Sequence, residues 1–448
     1  MKLSSGLTIV ASMVLAAALL PAVAAASGAL SGDAAPMCQG HRATIVGHPE
    51  MHENLRGTAG ADVIVTGGAG WVYAGRGADR VCVTGTNRDR RHFVSTGPGD
   101  DRVVVATSRP DLVSAVLGMG DDRFRGGAGD DVVNAEIAEV PARGPEPAEG
   151  HDRISTGAGT DYVDVGLPWA TTRDVVDLGP GDDGLFVLGL LGPGVRPRGR
   201  AGSDLLEIIP DEPGQQLAHD WVFDNVLETA TRDGVLQSRW SSFEQFGLTE
   251  LQAVTEVFIG GDADETVSSD AALLEATMGG GDDSLSMWFL PDDHQAGVSG
   301  GPGRDVFGAQ DHSVVVDLAA GVAWNATGSV EAPDVRLDGF EAATAVAQSV
   351  RLDGDAGANV LDAYGCDVVS RGGAGADLLR STQVRDPDIF PSCEGGVAGV
   401  AFYGGPGRDV LTGGDGADRL FGDAGYDRAD GGDGADLCLA EIQRSCER

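Results

Sequence analysis

The chain is 448 residues long; 69 are glycine, 69 are aspartate or glutamate, and aromatics make up only 5%, poor material for a conventional globular core. A formal net charge of −38 excludes nucleic acid and anionic membrane as partners, because both are bound through basic patches. Lys2 is the only lysine, which excludes a P-loop, a Schiff-base enzyme and a lysine general base.

In chain order, residues 1–26 come first. Lys2 gives a positive start, Leu7 to Leu20 is an apolar run, and Pro21 precedes the small stretch Ala22-Val23-Ala24-Ala25-Ala26. The pattern predicts a secretory signal that is removed on export; a membrane anchor needs about 20 apolar residues and a charged flank. Losing Lys2 takes the charge from −38 to −39. No later segment is apolar enough for membrane insertion. All six cysteines, Cys38, Cys82, Cys366, Cys393, Cys438 and Cys446, lie beyond the signal. An even count in an exported chain favours disulfides, and no CxxC or Cys/His pair has zinc-ligand spacing. Neighbour pairing is the simplest pattern, with Cys438–Cys446 the most secure. Residues 27–56 then read as an N-terminal cap tied by Cys38–Cys82.

From residue 57 a nine-residue frame sets in, with Gly at position four, Asp at position six and an apolar residue at position eight. Over 57–207 it appears as GTAGADVIV (57–65), AGRGADRVC (74–82), TGPGDDRVV (96–104), LGMGDDRFR (117–125), GGAGDDVVN (126–134), TGAGTDYVD (156–164), LGPGDDGLF (178–186) and GRAGSDLLE (199–207). Asp79, Asp101 and Asp122 are separated by 22 and 21 residues, and Asp161, Asp183 and Asp204 repeat those intervals. A chain that returns to one turn at so regular a spacing is a solenoid with two short strands and two turns per coil. The Pro/Gly-rich stretches 141–150 and 191–200 read as surface loops.

Residues 208–350 are less regular. MGGGDDSLS (278–286) and GGPGRDVFG (300–308) keep the frame and GGDADETVS (260–268) is a weaker copy, whereas 208–256 and 309–350 interrupt it with alternating apolar runs. Each interruption reaches a Phe-Glu pair, Phe243-Glu244 and Phe340-Glu341, before a motif block. The parallel suggests metal-free coils of the same solenoid; the alternative is an inserted domain. Residues 351–439 return to the repeat with GDAGANVLD (354–362), GGAGADLLR (372–380) and four unbroken copies over 404–439, GGPGRDVLT, GGDGADRLF, GDAGYDRAD and GGDGADLCL. Residues 440–448 form a C-terminal cap.

The residue types carry a chemistry. Closely spaced glycines open backbone conformations closed to other residues, so carbonyls turn into a tight bend. The following Asp adds a hard anionic oxygen, and two stacked turns bring together about six oxygens, which suits Ca²⁺. Positions seven to nine form a short strand whose middle side chain points inward. The predicted fold is all-β, a parallel β-roll or β-solenoid.

These blocks resemble the hemolysin-type (RTX) calcium-binding repeat family, GGxGxDxUx. The resemblance implies that the Asp side chain and turn carbonyls bind several Ca²⁺ ions, and that the roll folds when calcium is met outside the cell. Position by position it implicates Asp409, Asp418, Asp427 and Asp436, then Asp377, Asp62, Asp79, Asp101, Asp122, Asp131, Asp161, Asp183, Asp204, Asp283 and Asp305. Glu265 and Asn359 stand where Asp is expected. The chain departs from many members in having an N-terminal signal and no visible catalytic domain.

Other motifs are absorbed by the frame. Gly179-Pro180-Gly181-Asp182-Asp183-Gly184 matches GxGxxG, but two carboxylates would face a pyrophosphate. Paired carboxylates such as Asp130-Asp131 resemble glycosidase acid/base pairs, yet their constant repeat position argues for turn and metal roles. His52-Glu53 lacks a second zinc-ligating His, and Ser203 is not in a GxSxG elbow. The sequence therefore reads as a secreted, non-enzymatic, calcium-binding β-solenoid with a structural or adhesive role, its cell-surface or matrix partner left open. The competing class is a secreted enzyme or adhesin acting through 208–256 or 309–350. Exposed Trp221, Phe223, Trp240, Phe243 and Phe246 would favour sugar or protein binding there, and buried ones the structural reading.

Overall fold

The computed structural model describes residues 36–447 apart from 49–53, 87–88, 108, 137–149, 168–169, 193, 210–218, 250–254, 272, 289–295, 326–328, 330–332 and 382–398. The signal at 1–26 and nearly all of the loop expected at 141–150 lie outside the described residues.

The described chain is a parallel β-solenoid without helices. Each regular coil gives one strand to each of two sheets, so the strands that regular coils add to one sheet run the same way. One sheet continues from Leu55–Arg56 to Ile442–Arg444. The facing side is built in two runs, Ile45–Val46 to Arg198–Ala201 and Asp220–Asp224 to Leu437–Leu439. Arg198–Ala201 corrects the reading of 191–200 as a loop: its backbone pairs with Val175–Pro180, because the glycine frame of 199–207 begins inside that stretch.

Position eight of the repeat is the core. In the continuous sheet Val72, Val94, Ala115, Val133, Val163, Leu185 and Leu206 stand opposite one another in successive strands. The column runs on through Phe246, Val267, Leu285, Phe307, Ala343, Leu361, Leu379, Leu411 and Ala429. All of these are buried. A facing column holds Ile64, Val81, Val103, Phe124, Ile154 and Val176, and both belong to one hydrophobic cluster. Burying each Val or Leu contributes roughly 1.5–3 kcal/mol. Neighbouring strand positions face water, as in Arg123–Arg125, where only Phe124 is buried.

Both interruptions add antiparallel strands to the same side. Asp220–Asp224, Thr229–Arg232 and Val235–Arg239 form a meander that starts the second run. Ser313–Asp317, Val322–Trp324 and Val335–Asp338 form another between Ala296–Ser299 and Ser349–Asp353. The aromatics of the first meander are interior. Trp221, Phe223, Trp240, Phe243 and Phe246 are at most 1% exposed, and Trp221, Phe223, Trp240, Phe246 and Phe258 stack in series at 5.3–6.2 Å between ring centroids. They fill the core of an enlarged coil and offer no aromatic platform to a sugar.

Both ends carry a disulfide. Cys38, in the hairpin Met37–Cys38/His41–Arg42, joins Cys82. Cys438 stands opposite Leu420 in the last facing strand and joins Cys446. The continuous core column ends opposite Gln443, in a strand exposed throughout. A terminal coil without a neighbour leaves open sheet edges, and the bridge folds the tail across that end. For so short a loop it contributes about 2–3 kcal/mol. Cys446→Ser is expected to lower the denaturant midpoint of the calcium-loaded protein and to promote association through the uncapped end. Peptide mapping that finds Cys438 joined elsewhere would remove this account of the cap.

Candidate metal centre

The turn is shaped by its glycines. The first leaves room for the Asp side chain of its own repeat: a Cβ on Gly413 would overlap Asp418 Oδ2. The fourth stacks on the preceding coil. Gly434 has φ +147° and a Cβ there would overlap the Gly416 carbonyl oxygen, so both conformation and space exclude a side chain.

These turns bring the sixth-position carboxylates into ladders, one step per coil. Along one edge the Asp62 amide donates to Asp79 Oδ1 (2.8 Å), Asp79 to Asp101 (2.7 Å), Asp101 to Asp122 (2.7 Å), Asp122 to Asp152 (2.8 Å) and Asp152 to Asp174 (2.8 Å). Along the opposite edge Asp131 donates to Asp161 (2.7 Å), Asp161 to Asp183 (2.8 Å), Asp183 to Asp204 (3.0 Å) and Asp204 to Glu244 Oε2 (3.1 Å). On the same edge Glu265 donates to Asp283 (2.8 Å), Asp283 to Asp305 (2.9 Å) and Asp305 to Glu341 Oε2 (2.9 Å). Asn359 donates to Asp377, Asp377 to Asp409 and Asp409 to Asp427 (2.9 Å each), and Asp427 to Glu441 Oε2 (2.7 Å). A short third ladder runs from the Val400 amide to Asp418 (2.8 Å) and from Asp418 to Asp436 (2.9 Å).

All fifteen sequence-identified aspartates are buried in these ladders. Asp122 and Asp131 are consecutive repeats, yet they belong to opposite edges. The frame missed Asp152, whose turn keeps only the position-four glycine, Gly150; Asp174, whose turn has no glycine; and Glu244, Glu341 and Glu441, which reach the ladder with a longer side chain. The Phe-Glu pairs were the signal for the first two glutamates. Glu265 also holds a rung. Asn359 holds one as a neutral amide, with Oδ1 accepting from the Asp355 amide (2.8 Å) and Nδ2 donating to the Glu341 carbonyl (3.1 Å). The paired carboxylates separate into two roles, since position five makes an outer, exposed ladder: Asp130 Oδ1 accepts from the Thr160 amide (2.9 Å) and Asp182 Oδ1 from the Ser203 amide (2.9 Å).

The inner ladder uses one oxygen of most carboxylates and leaves the other buried without a partner. This holds for Oδ2 of Asp79, Asp101, Asp122, Asp161, Asp183, Asp204, Asp283, Asp305, Asp377, Asp409, Asp427 and Asp436. Asp62 and Asp418 differ, their Oδ2 accepting from the Thr58 amide (2.6 Å) and the Gly414 amide (2.8 Å). A buried anionic oxygen without a donor is costly, and burial accordingly pushes these groups up: Asp101, Asp183 and Asp409 to about 6, Asp122 and Asp204 to about 7, and Asp131 to about 8. Neighbouring carboxylates add to the rise in each case. Carboxylate oxygens beside turn carbonyls, with no nitrogen or sulfur donor, form the set that a hard divalent cation requires, and Ca²⁺ fits it.

Fold and site together define a calcium-binding β-roll. Four segments, residues 51–81, 118–137, 148–167 and 403–438, match the RTX calcium-binding nonapeptide repeat, and the chain carries that repeat. No curated protein matches the chain.

Two outcomes test the ladder. Asp427→Ala removes the oxygen that accepts from Asp409 and the partnerless one beside it, and is expected to lose on the order of one bound ion per chain. Asp130→Ala, in the outer ladder, is expected to retain its calcium; equal losses measured by equilibrium dialysis would contradict the division into inner and outer ladders. Without calcium, carboxyls raised to about 6–8 in the fold bind protons more tightly than in the unfolded chain, where they titrate near 4. Folding in excess chelator is then favoured at low pH and disfavoured as pH rises through about 6 to 8. Strand signal in chelator should grow as pH falls from 8 to 5, and a flat profile would count against the burial of these groups.

Proposed function

We propose that the protein is exported and that its inner-ladder carboxylates bind several calcium ions, one between stacked turns after another, so that the roll folds where calcium is plentiful. The ligands in this reading are Asp62, Asp79, Asp101, Asp122, Asp131, Asp161, Asp183, Asp204, Asp283, Asp305, Asp377, Asp409, Asp418, Asp427 and Asp436, with turn carbonyls beside them. The folded roll then acts as a structural or adhesive element outside the cell.

One observation carries the reading: in rung after rung a buried carboxylate oxygen has no donor. A chain of charge −39 after loss of Lys2 from −38 repels itself, and stacking its carboxylates concentrates that repulsion at the turns. A site held at a hundred times its dissociation constant contributes about 2.7 kcal/mol of folding free energy, and linked sites act together. Export rests on residues 1–26 and on the disulfides Cys38–Cys82 and Cys438–Cys446, which persist in oxidising compartments.

The chain lacking residues 1–26 should be expanded in excess chelator at pH 7.5 and gain strand signal cooperatively as calcium is added, followed by circular dichroism. A chain equally folded with and without chelator would sink the proposal.

A further inference from the structure

The inner ladder that begins at Asp62 ends at Asp174, and its last rungs are built differently from the rest. Oxygens of Glu136, Asp152 and Asp174 lie within 4.8 Å of one another, and the three residues are 6%, 1% and 1% exposed. Two of them continue the ladder. The third does not belong to it: Glu136 follows the strand Asp131–Asn134, and the Gly118 amide donates to the Ala135 carbonyl (3.0 Å). That bond aligns Glu136 with Gly118, the glycine at position two of the preceding turn. A carboxylate stands where the repeat has a glycine. The repeat matches also stop at 137 and resume at 148, so the nonapeptide pattern is broken at this point.

We propose that Glu136, Asp152 and Asp174 form a three-carboxylate cation centre, a site of different composition from the repeat turns and the tightest calcium site of the chain. The proposal rests on the calcium reading of the ladder and adds a ligand set to it. Asp152 supplies the second observation. Its Oδ1 accepts from the Asp122 amide (2.8 Å), while its Oδ2 is buried without a hydrogen-bond partner. Asp174 is already oriented: Oδ1 accepts from the Asp152 amide (2.8 Å) and Oδ2 from Thr172 Oγ1 (2.6 Å). Neither Asp152 nor Asp174 has an ion pair among the described residues, and the nearby His151 turns to Asp121 (3.5 Å) at the exposed rim. Three converging carboxylates select a hard cation over a neutral ligand, and ligand charge sets calcium affinity. An extra carboxylate in place of a glycine therefore marks this centre as the first to fill.

Calcium titration of the full chain against a chromophoric chelator tests the assignment. The wild-type chain should show one site tighter than the others, and Glu136→Gln should weaken that site about tenfold or more while the remaining sites keep their affinity. Glu275→Gln, on the exposed face of the strand Leu274–Thr277, should change nothing. Uniform affinities in the wild type, or an unchanged tightest site in E136Q, would overturn the centre while leaving the calcium roll standing. A wild-type chain that binds no calcium overturns both readings. Should E136Q fail to fold in calcium, Glu136→Asp decides, because it keeps the charge: recovered tight binding supports the centre, and failure equal to that of the Gln variant overturns it.

Discussion

The bond on which the rest of the molecule depends joins the backbone amide of one ladder residue to the carboxylate of its counterpart a coil later. It sets the rise, because the two residues must come within 2.7–3.1 Å. It sets the register too, because one amide and one carboxylate meet in every coil, so a slip of one residue would put the inward column into water. The same bond creates the electrostatic problem. Most of the carboxylates are buried where they reach the amide, and in most only one oxygen is satisfied there. An uncompensated buried charge costs several kcal/mol, whereas a whole domain is stable by roughly 5–15 kcal/mol. A stack of such groups, kept ionised, calls for compensating charge beyond packing, and the chain carries calcium-binding repeats.

The core is correspondingly thin. In the last regular coils the inward positions are Leu411, Leu420, Ala429 and Cys438, small or medium side chains that leave little apolar area per coil. Where the glycine turn is missing the core thickens: the coil around Glu244 carries Trp221, Phe223, Trp240, Phe243 and Phe246, all interior. Apolar burial increases where the regular turn is lost. The two meanders are therefore filled coils of the solenoid side, continuous with its core.

Much of this was legible in the sequence because a solenoid turns periodicity into contact. The inward column follows from position eight, and the buried ladder from position six, since each copy meets only its neighbours. What stayed hidden has physical causes. The nonapeptide treats every turn alike, so it could not assign Asp122 and Asp131 to opposite edges. Asp152 keeps only the position-four glycine, Gly150, and lies 30 residues beyond Asp122, and Asp174 holds its rung in a turn without glycine. Glu244, Glu341 and Glu441 hold rungs through a longer side chain, a substitution that spacing alone does not reveal. The buried aromatics also required the structure, because an apolar alternation reads the same whether its outer side meets water or another strand.

The rungs are therefore not equivalent, and the differences follow the sequence. Asn359 closes its rung with an amide that both accepts and donates, so it adds no charge. Asp62 and Asp418 give their second oxygen to a backbone amide four residues back, which lowers their need for a cation. Asp377, Asp409 and Asp427, like most rungs, leave theirs without a donor. Charge demand thus varies along a ladder whose geometry is almost constant. Changing the second oxygen's partner therefore alters that demand without altering the coil.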